Sequence, residues 1–242
     1  MNDKQGIEKF YAEAEKYGGF KQVPTERIHS IFEEIVDLSE GGFEKAKRGI
    51  LVRKVDENIA HVIKLQALKG AAYGLAYGIS LAYVPYPYAP AVKWHRTPKS
   101  ASLDLFEQPQ EHMRGAGADD ETKFTATSTL GEVCFREELG SLWKRISAGV
   151  QRWFDETRTL DQVLRRCDEQ VAWKWSGPRH APGARLVKAF TLARVGRAGE
   201  GRAELDEFLR ELGEGEEARK NLEKALEEIS CPSRLQTSKE PS

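Results

Sequence analysis

The side chains best able to do chemistry in this sequence are five histidines, three cysteines and a few clustered acids. His29, His61, His95, His112 and His180 include no pair at the helical or strand spacing of a metal site. Cys134, Cys167 and Cys231 are far apart and odd in number, with neither ligand nor redox spacing, which suits free thiols in a reducing, cytoplasmic compartment. No serine sits in a Gly-x-Ser-x-Gly elbow. Asp119, Asp120 and Glu121 follow Gly115 and Gly117, but without a preceding strand or a lysine at phosphate-loop spacing they read as a polar turn. No catalytic residue, cofactor or metal is therefore expected. The remaining polar groups, Arg53, His61 and Gln66, form a candidate pocket between sheet and helices for a small-ligand binder or an enzyme.

A second kind of chemistry is adhesive. Residues 70–92 carry no charge in a chain that is 31% charged, and they hold Tyr73, Tyr77, Tyr83, Tyr86 and Tyr88. The window reads as a strand running into Val84-Pro-Tyr-Pro-Tyr-Ala-Pro90. Tyrosine and tryptophan give large contact area with a polar tip, and prolines reduce the ordering entropy of a loop on binding. Tyr86, Tyr88 and Trp94 are the candidate protein-binding residues. The alternative is that the loop folds back and its rings complete the chain's own core. A spanning helix needs about 20 uninterrupted apolar residues, and Pro85, Pro87 and Pro90 interrupt this one. No membrane partner is expected.

These residues must be held by surrounding elements. A first helix around Phe10 to Tyr17 ends at Gly18 and Gly19, and Thr25 stands as an N-cap. Ile28, Ile31, Phe32, Ile35 and Val36 then mark an amphipathic helix over 26–39. The period changes to two for strands at 50–55, 59–68 and about 74–84, with Leu103 and Leu105 in a fourth and Phe124 starting a short edge strand. The third strand has one face of Leu75, Tyr77, Ile79, Leu81 and Tyr83, and another of Gly74, Ala76, Gly78, Ser80 and Ala82. Short connections leave no room for crossover helices, so the sheet is antiparallel. A helix at 136–156 follows, then a shorter one capped by Thr159, then helical sequence from Ala184 to Ile229 broken near 196–199 and 213–215. The expected fold is α+β: an antiparallel sheet of four to five strands packed by helices, with an α-helical C-terminal extension. The expected division is an α+β domain at 1–176, a helical extension at 177–230 and a tail at 231–242.

Bulk properties exclude little else. Net charge is −1 and no signal segment is read at the start of the sequence. Residues 197–229 hold eleven acids and six bases, a solvated helical face. Arg165 with Arg166, and Lys144 with Arg145, are too few for a nucleic-acid surface.

Two resemblances add to this reading. Gly42-Phe43-Glu-Lys45, Arg53, Leu65-Gln66 and the segment Tyr77 to Tyr83 resemble motifs of an uncharacterised bacterial α+β domain family, over Ile28 to about Cys167. Members are often encoded beside toxin or mobile-element genes. The resemblance implies a binding or toxin-neutralising (immunity-type) role and supplies no catalytic residue. Arg185 to Gly196, followed by Ala203, Leu205 and Phe208, is similar to one tetratricopeptide-type helical hairpin; such repeats have a period of about 34 residues and cannot bury their own face singly. The expected function is a cytoplasmic, non-catalytic protein-binding module with a protein partner, a toxin in the immunity-type form. Its alternatives are the small-ligand binder or enzyme, and a helical-hairpin scaffold.

Overall fold

In a computed structural model of the chain, the described residues are 3–36, 42–86, 93–94, 97–107, 125–172, 183–212 and 216–230. Among the described residues, seven α-helices and eight strands carry the fold. Helices α1 (Asp3–Lys16) and α2 (Thr25–Ile35) precede strands β1 (Glu44–Lys47), β2 (Ile50–Lys54), β3 (Ile59–Ala67) and β4 (Ala72–Leu81). Two-residue strands β5 (Pro85–Tyr86) and β6 (Lys93–Trp94) come next, then β7 (Leu105–Glu107) and β8 (Ala126–Thr127). The chain closes with helices α3 (Gly131–Asp155), α4 (Leu160–Ala172), α5 (Ala184–Arg194), α6 (Ala198–Leu212) and α7 (Glu216–Ser230).

The α+β architecture holds, with an antiparallel sheet of six strands in the order β1-β2-β3-β4-β7, β8 also pairing with β4. The additions to the expected sheet are short. β1 lies at the edge and is mostly charged and exposed, a composition that discourages edge-to-edge pairing. β8 pairs Ala126 with Tyr73 and Thr127 with Ala72. The tight turn at 56–58 is an Asx arrangement: the Asp56 carboxylate accepts from the N–H groups of Asn58 (2.7 Å) and Ile59 (2.8 Å).

Several boundaries move. Pro24, in extended conformation, occupies the cap position of α2 without a side-chain cap bond, so Thr25 is the first helical residue instead of the N-cap. Among the described residues α2 ends at Ile35, with Val36 closing its last turn onto the Phe32 carbonyl. α3 begins at Gly131, whose φ of 86° suits glycine. Thr159 does cap α4 in a reciprocal box: its Oγ1 accepts from the Gln162 N–H (3.3 Å), while the Gln162 side chain accepts from the Thr159 N–H (3.0 Å). Gly199 lies inside α6, so the break between α5 and α6 is at 195–197. The anticipated divisions at 176/177 and 230/231, Phe124 and the loop from 108 to 122 fall outside the described residues.

The chain forms two compact units. Unit 1 comprises Met1–Arg53, Val62–Tyr77 and Phe106–Arg152; unit 2 comprises Lys54–His61, Gly78–Leu105 and Trp153–Ser242. In unit 1 α2 buries Ile28, Ile31 and Phe32, and α3 buries Phe135, Leu139 and Leu142. Tyr73 of β4 meets Phe135 of α3 edge to face at 5.7 Å. His29 of α2 lies so close to Gly49 in the β1–β2 turn that a Cβ there would meet its ring at 2.9 Å. Arg27 and Arg136 alternate with Glu34 and Glu132 in a solvent-facing ring of ion pairs joining α2 to α3.

Unit 2 buries α5 on nearly every side and α6 and α7 on one face. Phe190, Leu186 and Val187 of α5, Leu205 and Phe208 of α6, and Leu222, Leu226 and Ile229 of α7 are almost wholly enclosed. Helices α5 and α6 approach closely where Gly201 removes the obstacle: a Cβ there would stand 2.6 Å from the Ala189 carbonyl oxygen.

Candidate functional site

The uncharged window does two things. Its first part is β4, a strand and not a helix, buried on both faces from Gly74 to Leu81. Its small face, Gly74, Ala76, Gly78 and Ser80, is buried as fully as its large one. The chain then turns at 82–83 and forms a ribbon in which β5 and β6 pair antiparallel, Pro85 opposite Trp94 and Tyr86 opposite Lys93. Tyr88 lies outside the described residues.

Helix α5 anchors this ribbon. Trp94, half-buried, meets Phe190 edge to face at 6.5 Å. Tyr83, fully enclosed, places its hydroxyl 3.0 Å from Oγ1 of Thr191. The Thr191 hydroxyl has one hydrogen and gives it to the Val187 carbonyl at 2.7 Å, so Tyr83 is the donor of the pair. Burial pushes the Tyr83 phenol far up and keeps it protonated. Arg194 at the end of α5 reaches the turn between β2 and β3 instead, where its Nε donates to the Asn58 side chain at 3.0 Å. At the end of β4 the Leu81 N–H donates to the buried Asp104 carboxylate at 2.6 Å, and the Asp104 N–H to the Ile79 carbonyl at 2.8 Å.

The three proposed docking rings thus divide where they can be seen. Tyr86 is 39% exposed and Trp94 faces Phe190. The rings do not all complete the core, and they are not all displayed. Sequence reasoning missed Phe190, Thr191 and Lys93. Phe190 and Thr191 belong to the segment recognised as a hairpin, and nothing local links them to the ribbon.

The candidate pocket residues lie on β2 and β3. His61 is buried and stacks on Phe154 of α3 at 4.4 Å, nearly parallel. Arg53 lays its guanidinium 4.6 Å over the Phe43 ring. Gln66 is half-buried on β3. None of the three lines either of the two cavities beside α4, one lined with α5 and α6 and one with Glu156 and Arg165.

The larger of those cavities, about 390 Å³, opens between α4, α5 and α6. Arg185 and Lys188 of α5 share Glu204 of α6 at 2.8 and 2.6 Å, and Lys188 also reaches Asp168 of α4 at 2.8 Å. Burial alone would draw both cations down; Glu211 and Glu204 around Arg185, and Asp168 and Glu204 around Lys188, outweigh it and hold both above their ordinary values. These cations are already matched, so a ligand there would have to displace a carboxylate. Cys167 lies on the buried face of the adjacent α4, where burial pushes its thiol far up. Among the described residues no group of three or more histidine, cysteine or acidic side chains could hold a metal ion, and no helix is long and apolar enough to cross a membrane.

Comparison with protein-family models, with curated proteins and with solved structures gave no match. The two resemblances noted above rest on their motif residues alone.

Proposed function

We propose that this chain is a protein-binding module whose docking element is the β5–β6 ribbon. The observation that carries the reading is the contrast within that ribbon. Trp94 is committed to Phe190, while Tyr86 stands 39% exposed on a backbone already paired and anchored. An exposed aromatic on a fixed support contributes contact area with little ordering cost on association. Proline at 85 removes a donor from the ribbon and fixes its backbone at that point. A toxin as partner, in the cytoplasm, is the specific form that the bacterial-domain resemblance gives to this reading.

A photo-crosslinking residue at position 86, introduced in the source cell, should give discrete crosslinked protein species. The same residue at 94 should give markedly less, because that ring faces α5. Equal crosslinking at both positions, or none at 86, would count against the ribbon as the docking element.

A second reading is favoured by the cavity between α4 and α6. Its volume lies within the range of small-ligand sites, about 300–1,000 Å³. Its half-buried cations would suit a small charged ligand able to exchange with Glu204.

A further inference from the structure

The register of the ribbon separates its residues by face, and this separation carries the chemistry of the partner. Directly opposed residues of an antiparallel pair share a face, and successive residues alternate. Pro85 and Trp94 therefore share the inward face, and both are wholly or partly buried. Tyr86 and Lys93 share the other, and both are exposed. Lys93 makes no ion pair among the described residues, like Lys54, Lys99, Arg165 and Lys224 of the same unit and unlike Arg158, Arg166, Arg197, Arg202, Arg210 and Arg219, which are matched to acids. The surrounding sequence reinforces the sign. Residues 82–103 hold Lys93, Arg96 and Lys99 and no acid, in a chain of net charge −1.

We infer that the Tyr86–Lys93 face receives an acidic polypeptide segment. This rests on the ribbon being the docking element. A carboxylate can accept from the Lys93 ammonium, and the exposed part of the Tyr86 ring supplies apolar contact beside it. Three cations are few for a nucleic acid, where recognition commonly engages about 6–10 phosphates.

The test measures binding of the full chain to fluorescent polyglutamate, polylysine and a thymidine oligonucleotide of matched length, at low and physiological salt. Polyglutamate should bind, more weakly as salt rises. Lys93→Glu should weaken it about tenfold and Lys93→Gln about threefold. Tyr86→Ala should weaken it about fivefold, while Lys224→Glu on α7 leaves it unchanged. Melting temperatures of all variants should match the parent. Tighter binding of the oligonucleotide, no binding of polyglutamate, or insensitivity to both Lys93 variants would overturn the inference. If polylysine binds and depends on Tyr86, the docking element stands and only its acidic preference falls. If no probe depends on either residue, the docking reading falls with it.

Discussion

Strand β4 and the β5–β6 ribbon come from one uncharged window, yet they meet water differently. β4 is paired by β3 on one side and by β7 and β8 on the other, and from Gly74 to Leu81 every residue is buried. The ribbon has two residues per strand, and its rings are split between α5 and solvent. Absence of charge therefore does not specify burial. What decides is how many backbone neighbours the segment has: a strand paired on both sides is enclosed by its sheet, while a two-residue pairing leaves Tyr86 and Lys93 exposed.

That contrast can be broken by removing the support. Phe190→Ala should be the most damaging change, costing about 3–5 kcal/mol as expected for a fully buried ring; it should also free Trp94, read as a red shift of tryptophan emission. Trp94→Ala removes a half-buried ring and should cost about 1–3 kcal/mol in urea unfolding. A cost as large as that of Phe190→Ala would make the ribbon a full part of the core.

Tyr83→Phe sharpens the comparison at the junction between the two regions. It leaves Thr191 without the Tyr83 donor and should cost about 1 kcal/mol at neutral pH. The folded phenol is held above its ordinary value of 10.0. Its stabilisation is therefore complete below pH 10.0 and declines as pH rises beyond it. Phenylalanine has no such proton, so melts of the variant should fall less steeply above that pH; parallel curves would show that Tyr83 is not a source of the alkaline limb. Tyr86→Ala should be the mildest, within about 0.5 kcal/mol, because the ring is substantially exposed. A drop in melting temperature of many degrees would place Tyr86 in the core instead.

Much of the sheet was legible because period two persists over β3 and β4. Along β3 Ile59, His61, Ile63 and Leu65 are all buried, and Val62 on the opposite face is buried as well. The α3 boundary was less legible. The apolar stripe of Leu139 and Leu142 extends back through Phe135, but Val133, Cys134 and Phe135 also suit a strand. β1 carried no alternation to read, since a charged edge strand shows none. The ribbon was hidden for another reason. Its pairing is two residues long, and its anchor, Phe190, lies far along the chain in a segment whose own pattern is entirely helical. Local periodicity reports which face an element buries, not which distant element will cover it.

The glycine at 201 sets a mechanical condition on all of this. With helix backbones nearly touching at Ala189, the α5–α6 pair has a fulcrum there. Even one methyl group would act as a wedge, prying loose the very helix whose next two residues, Phe190 and Thr191, grip Trp94 and Tyr83. A substitution remote from every displayed ring would thereby unseat them all.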